Sequence, residues 1–415
     1  MDWKKKEEAR LLFEKGVTKY EAHDFEGAII ELNKAIEMNP ESANAYMARG
    51  AARASMKNIH AAIDDFSKAI EISPEHCELY KNRGRAYMQL ATNEVSKRNE
   101  HIKNAVEDLN KAITIIPDDP MVWYFRGFAK ARCKDYSQYQ AIDDLSEAIA
   151  LKPDYADAML ERATCLLQEQ NFDAALKDFN NAFEIKEGSA ISYLNRGMCF
   201  EKSSSDHQAA LADFTRAIQL DPEFGDAYAR RGYANLCLKH FHNAIRDYDE
   251  ALKRKSSNRA TSLTNRGNAK YKLGEFDSSI EDFCAAIEID PDNPLIYQGR
   301  GVSYVALLKR DLAMADFNRA VELDPQTPQP FLLRGNLKID MKDYDGAIED
   351  LKKSLQIAPE TLVTLNCLSK AFYLKNEFAE SRKYIDRILR LDPTCEWAKQ
   401  ALDMISKAEA EQDAS

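Results

Sequence analysis

The 415-residue chain has few of the residues that build long loops or disulfide frameworks. It contains only 15 glycines and 13 prolines, so long flexible linkers are not expected. Its eight cysteines stand singly, with no Cys-x-x-Cys pair. That spacing is typical of reduced thiols inside a cell and not of a disulfide-stapled secreted domain. Because neither a Gly-rich phosphate loop nor a metal-binding motif occurs, we predict no cofactor and no bound metal.

Long apolar runs and excess positive charge are also missing. No apolar run approaches the ~20 residues of a membrane span, and the opening residues, MDWKKKEE, lack the apolar core of a signal peptide. We therefore expect an intracellular, cytoplasmic protein. The 57 Lys and Arg against 68 Asp and Glu give a net charge of −11. Such an acidic balance disfavours nucleic acid and anionic membranes as partners.

What the sequence does contain is a repeat of about 34 residues. The spacing of Gly50, Ala62, Ala69 and Pro74 returns along the chain, and nine of the 13 prolines fall at the phase of Pro74. Residues 1–8 precede the first unit as a lead-in, and 396–415 follow the last. The eleven units that we delimit are 9–42, 43–76, 77–119, 120–155, 156–189, 190–224, 225–259, 260–293, 294–327, 328–361 and 362–395.

Each unit has the pattern of two helices. The first helix carries Gly or Ala near its middle, where another helix must approach closely, and the second carries Ala-x-x-x-Phe-x-x-Ala at helical spacing. Proline ends the second helix or begins the next. Because one hairpin cannot bury its apolar face alone, stacked hairpins with one continuous core are expected. A final helix would cover the last hairpin with one face, formed by Trp397, Ala401, Met404 and Ile405.

This pattern resembles the tetratricopeptide repeat family over about nine-tenths of the chain. The family motif is an aromatic residue, then Gly, then Ala-x-x-x-Phe, then Pro. The resemblance implies an all-α fold, a right-handed superhelical α-solenoid of eleven hairpins plus a C-terminal capping helix, with the first helices lining its inner wall. It also implies protein–protein interaction without enzymatic activity. In unit 260–293 the matching residues are Gly267, Phe276, Phe283, Ala286 and Pro291.

Two charged positions vary together along the repeat. An arginine precedes the small residue of the first helix in nine successive units, and the same nine carry aspartate in the second helix. The first unit has Lys15 and Glu31 instead, and the last has Leu368 and Tyr384. We therefore predict a structural Arg–Asp contact within each hairpin, since arginine offers a carboxylate a fork of donors; a charged ligand row is the alternative. The predicted pairs are Arg49–Asp65, Arg83–Asp108, Arg126–Asp144, Arg162–Asp178, Arg196–Asp213, Arg231–Asp247, Arg266–Asp282, Arg300–Asp316 and Arg334–Asp350.

The first helix of unit 120–155 is apolar on two faces. By spacing, its core stripe is Trp123, Gly127 and Lys130, and the opposite stripe is also apolar. A helix apolar on both faces needs a second burial partner. We predict that this stripe and the matching positions of the next two units form a floor for an apolar or amphipathic peptide. The alternative is that they pack against an inserted loop or a neighbouring turn of the solenoid. The floor residues are Met121, Tyr124, Phe125, Phe128, Leu160, Thr164, Ile191, Leu194 and Met198.

Farther along the lining becomes polar, with Asn195, Arg230 and Asn265 at equivalent places. Asparagine can hold a peptide backbone through both donor and acceptor, and the family resemblance makes such a ladder plausible; a common residue before Arg-Gly is the alternative. Chaperone-binding members of the family clamp a terminal carboxylate with Lys, Asn and Arg in three successive repeats. No such set occurs here, because an aromatic residue follows the basic pair Lys81 and Arg85 where Asn is required.

These patterns lead to a ranking of functions. We expect a scaffold that binds peptides or protein segments in its groove, and the runner-up is a regulatory or targeting subunit of an enzyme or chaperone complex. Nucleic-acid binding by a helical array is disfavoured by the acidic balance. The polar insertion 91–103 in the third unit is expected either to extend the helices or to loop out.

Overall fold

The helices follow the repeat closely. The computed structural model describes residues 3–254 and 256–413, which form 23 α-helices and no strand. The all-α solenoid of helical hairpins predicted from the sequence is confirmed. Contacts group the chain into two units, one ending at Asp206 and one beginning at His207.

The first unit consists of five hairpins and one further helix. Each helix packs on the next in the chain, and the first helices of most neighbouring hairpins also touch, so first helices form one layer and second helices the other. Residues 3–8 of the lead-in belong to the first helix. The helices are α1 (Trp3–Glu21), α2 (Phe25–Met38), α3 (Ala43–Ser55), α4 (Ile59–Ile72), α5 (Cys77–Asn93), α6 (Arg98–Ile115), α7 (Pro120–Lys130), α8 (Gln138–Leu151), α9 (Ala156–Gln168), α10 (Phe172–Ile185) and α11 (Ala190–Ser203).

The second unit begins with one helix, continues with five hairpins of the same layered kind, and ends with a covering helix. Its helices are α12 (His207–Leu220), α13 (Gly225–Cys237), α14 (Phe241–Lys253), α15 (Arg259–Lys272), α16 (Phe276–Ile289), α17 (Pro294–Ala306), α18 (Arg310–Leu323), α19 (Pro328–Asp340), α20 (Tyr344–Ile357), α21 (Leu362–Leu374), α22 (Phe378–Leu391) and α23 (Glu396–Asp413).

The small residues of the first helices mark where the partner helix approaches. A Cβ added at Gly50 would lie 2.8 Å from Cε1 of Phe66, the aromatic residue of the second helix. Phe66 itself is 2% exposed, and the alanines on either side, Ala62 and Ala69, are fully buried. The repeated Gly and Ala-x-x-x-Phe-x-x-Ala pattern is therefore the interdigitated core of each hairpin.

The turns inside the hairpins need a left-handed residue. In eight of the ten hairpins within the two units, one residue just after the first helix has positive φ, and only Gly274 among these is glycine. The other residues accept a conformation that costs L-residues energy. They are His23, Lys57, Gln170, Lys239, Leu308, Lys342 and Asn376.

The insertion of the third hairpin extends its helices. α5 and α6 have 17 and 18 residues, against 13 and 14 for the preceding pair, and a 3-10 turn at Val95–Lys97 joins them. Glu94 lies at this junction and bridges two histidines, with 2.7 Å to His60 Nε2 and 3.0 Å to His101 Nε2. The insertion is thereby tied to the second hairpin, on which His60 lies.

The covering helix α23 uses a different face from the predicted one. Ala398 and Ile405 are buried and Ala401 packs on the same cluster. Trp397 and Met404 were expected in that face, but their side chains are 42% and 58% exposed. The prediction was wrong for these two residues because bulk and apolarity alone do not locate the contact stripe of a terminal helix that packs on one side only.

Candidate functional site

The predicted arginine and aspartate are in contact in eight of the ten hairpins that lie within one unit, and the other two are the terminal hairpins, which lack these residues. In the fifth hairpin Arg162 Nε lies 2.7 Å from Asp178 Oδ2 and its Nη2 lies 2.8 Å from Oδ1. Asp178 is 3% exposed. Arg196 and Asp213 belong to different units, so their pairing stays a prediction. The pairs in contact, with Nη2–Oδ1 distances of 2.5 to 2.8 Å, are Arg49–Asp65, Arg83–Asp108, Arg126–Asp144, Arg162–Asp178, Arg231–Asp247, Arg266–Asp282, Arg300–Asp316 and Arg334–Asp350.

The two terminal hairpins replace this pair, as the sequence indicates. Lys15 Nζ lies 2.9 Å from Glu31 Oε1 in the first hairpin, and this hydrogen bond is the main cause that lowers the pKa of Glu31. In the last hairpin Leu368 is fully buried and the Tyr384 ring stacks on Phe372. An apolar contact there takes the place of the ion pair.

Each arginine also reaches the preceding hairpin, which the sequence reasoning missed. Arg162 Nη1 donates to Ser146 Oγ at 3.0 Å, and Arg334 Nη1 donates to Asn318 Oδ1 at 2.9 Å. The signal is a hydrogen-bonding side chain sixteen positions before the arginine, or seventeen in the case of Arg266 and Asp249. One guanidinium therefore holds its own hairpin together and joins it to the previous one. Further acceptors at this spacing are Asn33, Ser67 and Asn110.

The aromatic stripe of α7 is mostly packed within the protein. The Tyr124 ring lies 5.3 Å from Phe125 and 5.1 Å from Tyr155, and burial raises the pKa of the Tyr124 phenol. The Phe125 ring lies under the Arg85 guanidinium at 5.2 Å. The packing alternative thus describes much of this stripe, since neighbouring hairpins and arginines cover its rings.

Of the core stripe predicted for α7, Gly127 is buried as expected, whereas the prediction was wrong for Trp123 and Lys130. Val122 and Ala129 are fully buried, whereas Trp123 is only partly covered and donates from Nε1 to the Pro117 carbonyl at 2.7 Å. Lys130 does not enter the apolar core: its Nζ lies 2.7 Å from Asp144 Oδ2.

An open groove lies beside this aromatic stripe, between α9 and α11, with Arg132 just after α7 and the loop 186–189 at its edges. It encloses about 520 Å³ and its lining includes three residues of the predicted set, Leu160, Ile191 and Asn195. Ile191 is 62% exposed. Thr164 is a fourth predicted residue in the lining, and Asn195 Nδ2 lies 3.5 Å from its Oγ1. The groove offers apolar surface beside amide and hydroxyl groups.

The charged side chains of the groove lining are Arg132, Asp157, Glu161, Lys186 and Glu187, and the first four form two ion pairs. Arg132 lies over the Phe128 ring at 3.4 Å and forms a two-pronged contact with Glu161, at 3.0 and 3.1 Å. Lys186 forms an ion pair with Asp157 on the opposite wall. No large excess of one sign therefore faces the groove from these four side chains.

The remaining predicted residues are more scattered. Met121 is 41% exposed at the start of α7, and Leu194 and Met198 are half-buried on α11 without lining the groove. Arg230 and Asn265 are half-buried on α13 and α15 in the second unit. The structure thus gathers part of the predicted floor into one groove and leaves the polar ladder divided between the two units.

The described part of the chain contains neither a cluster of metal ligands nor a membrane-spanning helix. Among residues 3–254 and 256–413, no group of three or more His, Cys, Asp or Glu side chains is arranged to hold a metal ion. Within that same part of the chain, every helix is too short or too polar to cross a membrane.

Models of one repeat family match the chain at several places. A model described as TPR repeat matches residues 267–307. Two models described as tetratricopeptide repeat match 13–76 and 140–190, and 190–224, 295–327 and 329–361. Together these matches span more than half of the sequence.

Relatives of known name match over part of their length. The chain is 28% identical over 242 residues to the Hsp70-Hsp90 organizing protein of Triticum aestivum, covering 58% of this chain and 40% of that protein. It is 34% identical over 111 residues to serine/threonine-protein phosphatase 5 of Mus musculus, covering 25% and 22%. The chain therefore spans less than half the length of these relatives.

Solved structures align over nearly the whole chain. The yeast Tom70 structure covers 98% of this chain and 96% of its own, with 16% identity and a TM-score of 0.44. The APC/C hetero-tetramer Cut9-Hcn1 covers 96% of both, with 14% identity and a TM-score of 0.49.

Proposed function

Because the chain belongs to the tetratricopeptide repeat family, we propose that it is a scaffold that holds an extended segment of a partner protein in the groove between α9 and α11. The observation that supports this most is the open groove of about 520 Å³ on first-helix residues. That volume falls in the range of ligand-binding clefts. The inner surface of first helices is also where the family resemblance places ligands.

The lining favours a peptide over a compact charged ligand. Leu160 and Ile191 offer apolar contact, and Thr164, Ser192 and Asn195 offer hydroxyl and amide groups that can hydrogen-bond to a backbone. The nearby charges are engaged in pairs, so a strongly charged ligand would have to break them. We infer recognition by an apolar side chain and backbone hydrogen bonds.

The packed aromatic stripe of α7 has a supporting part in this proposal. Tyr124, Phe125 and Phe128 form a continuous ring cluster, with Tyr124 5.9 Å from Phe128. Arg132 covers Phe128 and forms one wall of the groove. The stripe is then a rigid base that fixes Arg132, and Met121 is its most accessible member.

We extend the proposal to partner class and compartment. The scaffold is non-enzymatic and cytoplasmic, and its partners are proteins, without nucleic acid or membrane. The net charge of −11 supports the exclusion of polyanions.

A second candidate is a regulatory or targeting subunit of an enzyme or chaperone complex. It is favoured by the similarity to the Hsp70-Hsp90 organizing protein and to protein phosphatase 5. A chaperone carboxylate clamp has no support at Lys81, which is 8% exposed and lies 3.2 Å from Asp119 Oδ2.

The test uses two exposed residues at the same repeat position. Ile191 in the groove is 62% exposed, and Leu295 at the start of α17 is 63% exposed. A photo-cross-linking amino acid is placed at each position in the full chain, and cross-linked segments are identified by mass spectrometry. We expect defined partner segments at position 191 and not at 295.

Substitutions at the same two positions test the proposal by measured affinity. Ile191→Asp should weaken binding of the cross-linked segment, made as a synthetic peptide, by at least tenfold, because a carboxylate replaces buried apolar contact. Leu295→Asp should leave its affinity within twofold. Equal effects of the two substitutions, or cross-linking only at 295, would place the ligand elsewhere and refute the proposal.

A further inference from the structure

The last hairpin and the covering helix enclose a second cavity. It has about 160 Å³ and lies between α21, α22 and α23. The second helix carries Ile385 at the position where five of the ten other hairpins have phenylalanine, such as Phe317, and Ile385 occupies less space than a ring. Ile385 and Ile405 are buried and form the floor.

The polar atoms at the floor are already satisfied. The Ser369 and Ser381 hydroxyls lie 2.9 Å apart, and Ser381 Oγ donates to the Ser369 carbonyl at 2.9 Å. A ligand therefore meets an apolar floor. A dry cavity of about 150 Å³ is large enough for benzene, so this one can take a single aromatic side chain.

The rim differs sharply from the floor. Trp397 and Met404, which the covering helix leaves 42% and 58% exposed, form one side, and Asn366 and Lys370 of α21 lie on the other. Lys370 is the one charged side chain of the lining, in a chain whose net charge is −11. Its ammonium has no ion-pair partner within 4.0 Å among the described residues. The pocket thus combines an apolar hole with an unpaired cation at its edge.

We propose that this pocket binds an internal protein segment in which an aromatic side chain stands next to aspartate or glutamate. The ring fills the hole beside Trp397 and Met404. The carboxylate pairs with Lys370. The Asn366 amide, one turn away on the same helix face, bonds to the segment's backbone. This site goes beyond the proposed groove and does not depend on it, because its residues all lie in the second unit.

An internal carboxylate fits this rim better than a chain terminus. Capture of a terminal carboxylate relies on converging backbone N–H groups. The pocket is lined by residues of α21, α22 and α23, and Trp397 alone among them lies in the first turn of its helix, where an N–H group has no acceptor within the helix, so converging N–H groups do not line the pocket. One flexible, exposed lysine instead suits a side-chain carboxylate whose position can adjust.

The experiment titrates the full chain with the acetylated, amidated peptide Gly-Ser-Asp-Phe-Asp-Ser-Gly and follows tryptophan emission, with calorimetry as an independent readout. Three control peptides replace both Asp by Asn, replace Phe by Ser, or end in a free carboxylate after Asn-Phe. The protein variants are Lys370→Gln and Trp397→Ala. Lys383→Gln is the matched control, because this exposed lysine lies on α22 outside the pocket.

We expect saturable binding that weakens roughly three- to fivefold with Lys370→Gln or the Asn peptide, as for an exposed ion pair, and at least tenfold with the Ser peptide. Trp397→Ala should remove the emission change, and Lys383→Gln should bind like the unsubstituted protein. The proposal is overturned if Lys370→Gln binds as well as the unsubstituted protein, or if the free-carboxylate peptide binds more tightly. It is also overturned if sedimentation shows a dimer that Lys370→Gln dissociates, because the occupant is then a second copy of the chain.

Discussion

Removing one arginine should lower the free energy of unfolding more in a hairpin whose aspartate has no second cation within contact distance. In the fifth hairpin Asp178 is 3% exposed and Arg162 is its paired cation, because Leu166 occupies the place one turn later. Arg162→Met leaves a buried carboxylate unpaired. Breaking a buried pair in this way costs about 3–5 kcal/mol. Loss of the Arg162 bond to Ser146 adds to it.

The fourth hairpin provides the matched comparison. Asp144 is also 3% exposed, but it contacts both Arg126, at 2.6 Å, and Lys130, at 2.7 Å. Arg126→Met leaves Lys130 in place, so the carboxylate keeps a charged partner. The free energy of unfolding should then fall by the value of one hydrogen bond to a charged group, about 1.5–3 kcal/mol.

Hydrogen exchange with mass spectrometry resolves the two hairpins, which matters because repeat arrays do not unfold as a single two-state unit. Urea unfolding followed by circular dichroism gives the overall loss. The double variant Arg162→Met with Asp178→Leu should recover most stability, since apolar replacement of a buried pair is close to neutral. The reasoning is refuted if the two single variants lose equal stability, or if the double variant is no better than Arg162→Met alone.

The remaining predictions concern packing and pH. Gly50→Ala should destabilise the second hairpin by about 1–3 kcal/mol, because the new Cβ would lie 2.8 Å from Phe66, whereas Gly267→Ala, with 3.2 Å to its nearest atom, should be closer to neutral in urea unfolding. The hydrogen bonds from His101 and His60 lower the pKa of Glu94. Ionised Glu94 therefore stabilises the folded state at a pH above the pKa of an unfolded carboxyl group. This stabilisation is lost as the pH falls through the lower pKa that Glu94 has in the folded protein. Acid unfolding of the third hairpin, followed by hydrogen exchange, should be less steep in Glu94→Gln.

The helical hairpins and their ion pairs could be predicted from the sequence because the same residues return at the same spacing in many units. One Gly or one Asp at position 50 or 65 says little, but its return with fixed spacing identifies the approach of two helices and a paired charge. The bond from each arginine to the hairpin before it was missed. Its acceptor changes between Ser146 and Asn318, so no single residue type repeats at that place.

The groove was predicted less well, because its form depends on how particular side chains fold over one another. Nothing in the spacing shows that Arg132 lies over Phe128 or that Arg85 covers Phe125. The stripe on α7 is apolar in sequence and largely covered in the structure. The open surface is displaced to the next two hairpins, where Ile191 keeps its exposure.

The pocket under the covering helix lies where the last hairpin departs from the repeat. Terminal repeats are released from the pattern because they have no further hairpin to match. The last hairpin has lost its ion pair, its phenylalanine and its glycine together, and Leu368, Ile385 and Ser369 stand in their places. Those changes leave no ring at the position that phenylalanine fills in five of the ten other hairpins, and α23 closes over the space only in part, leaving Trp397 exposed. Departure from the repeat therefore creates the pocket, so the positions that break the pattern are the ones to substitute when function is tested.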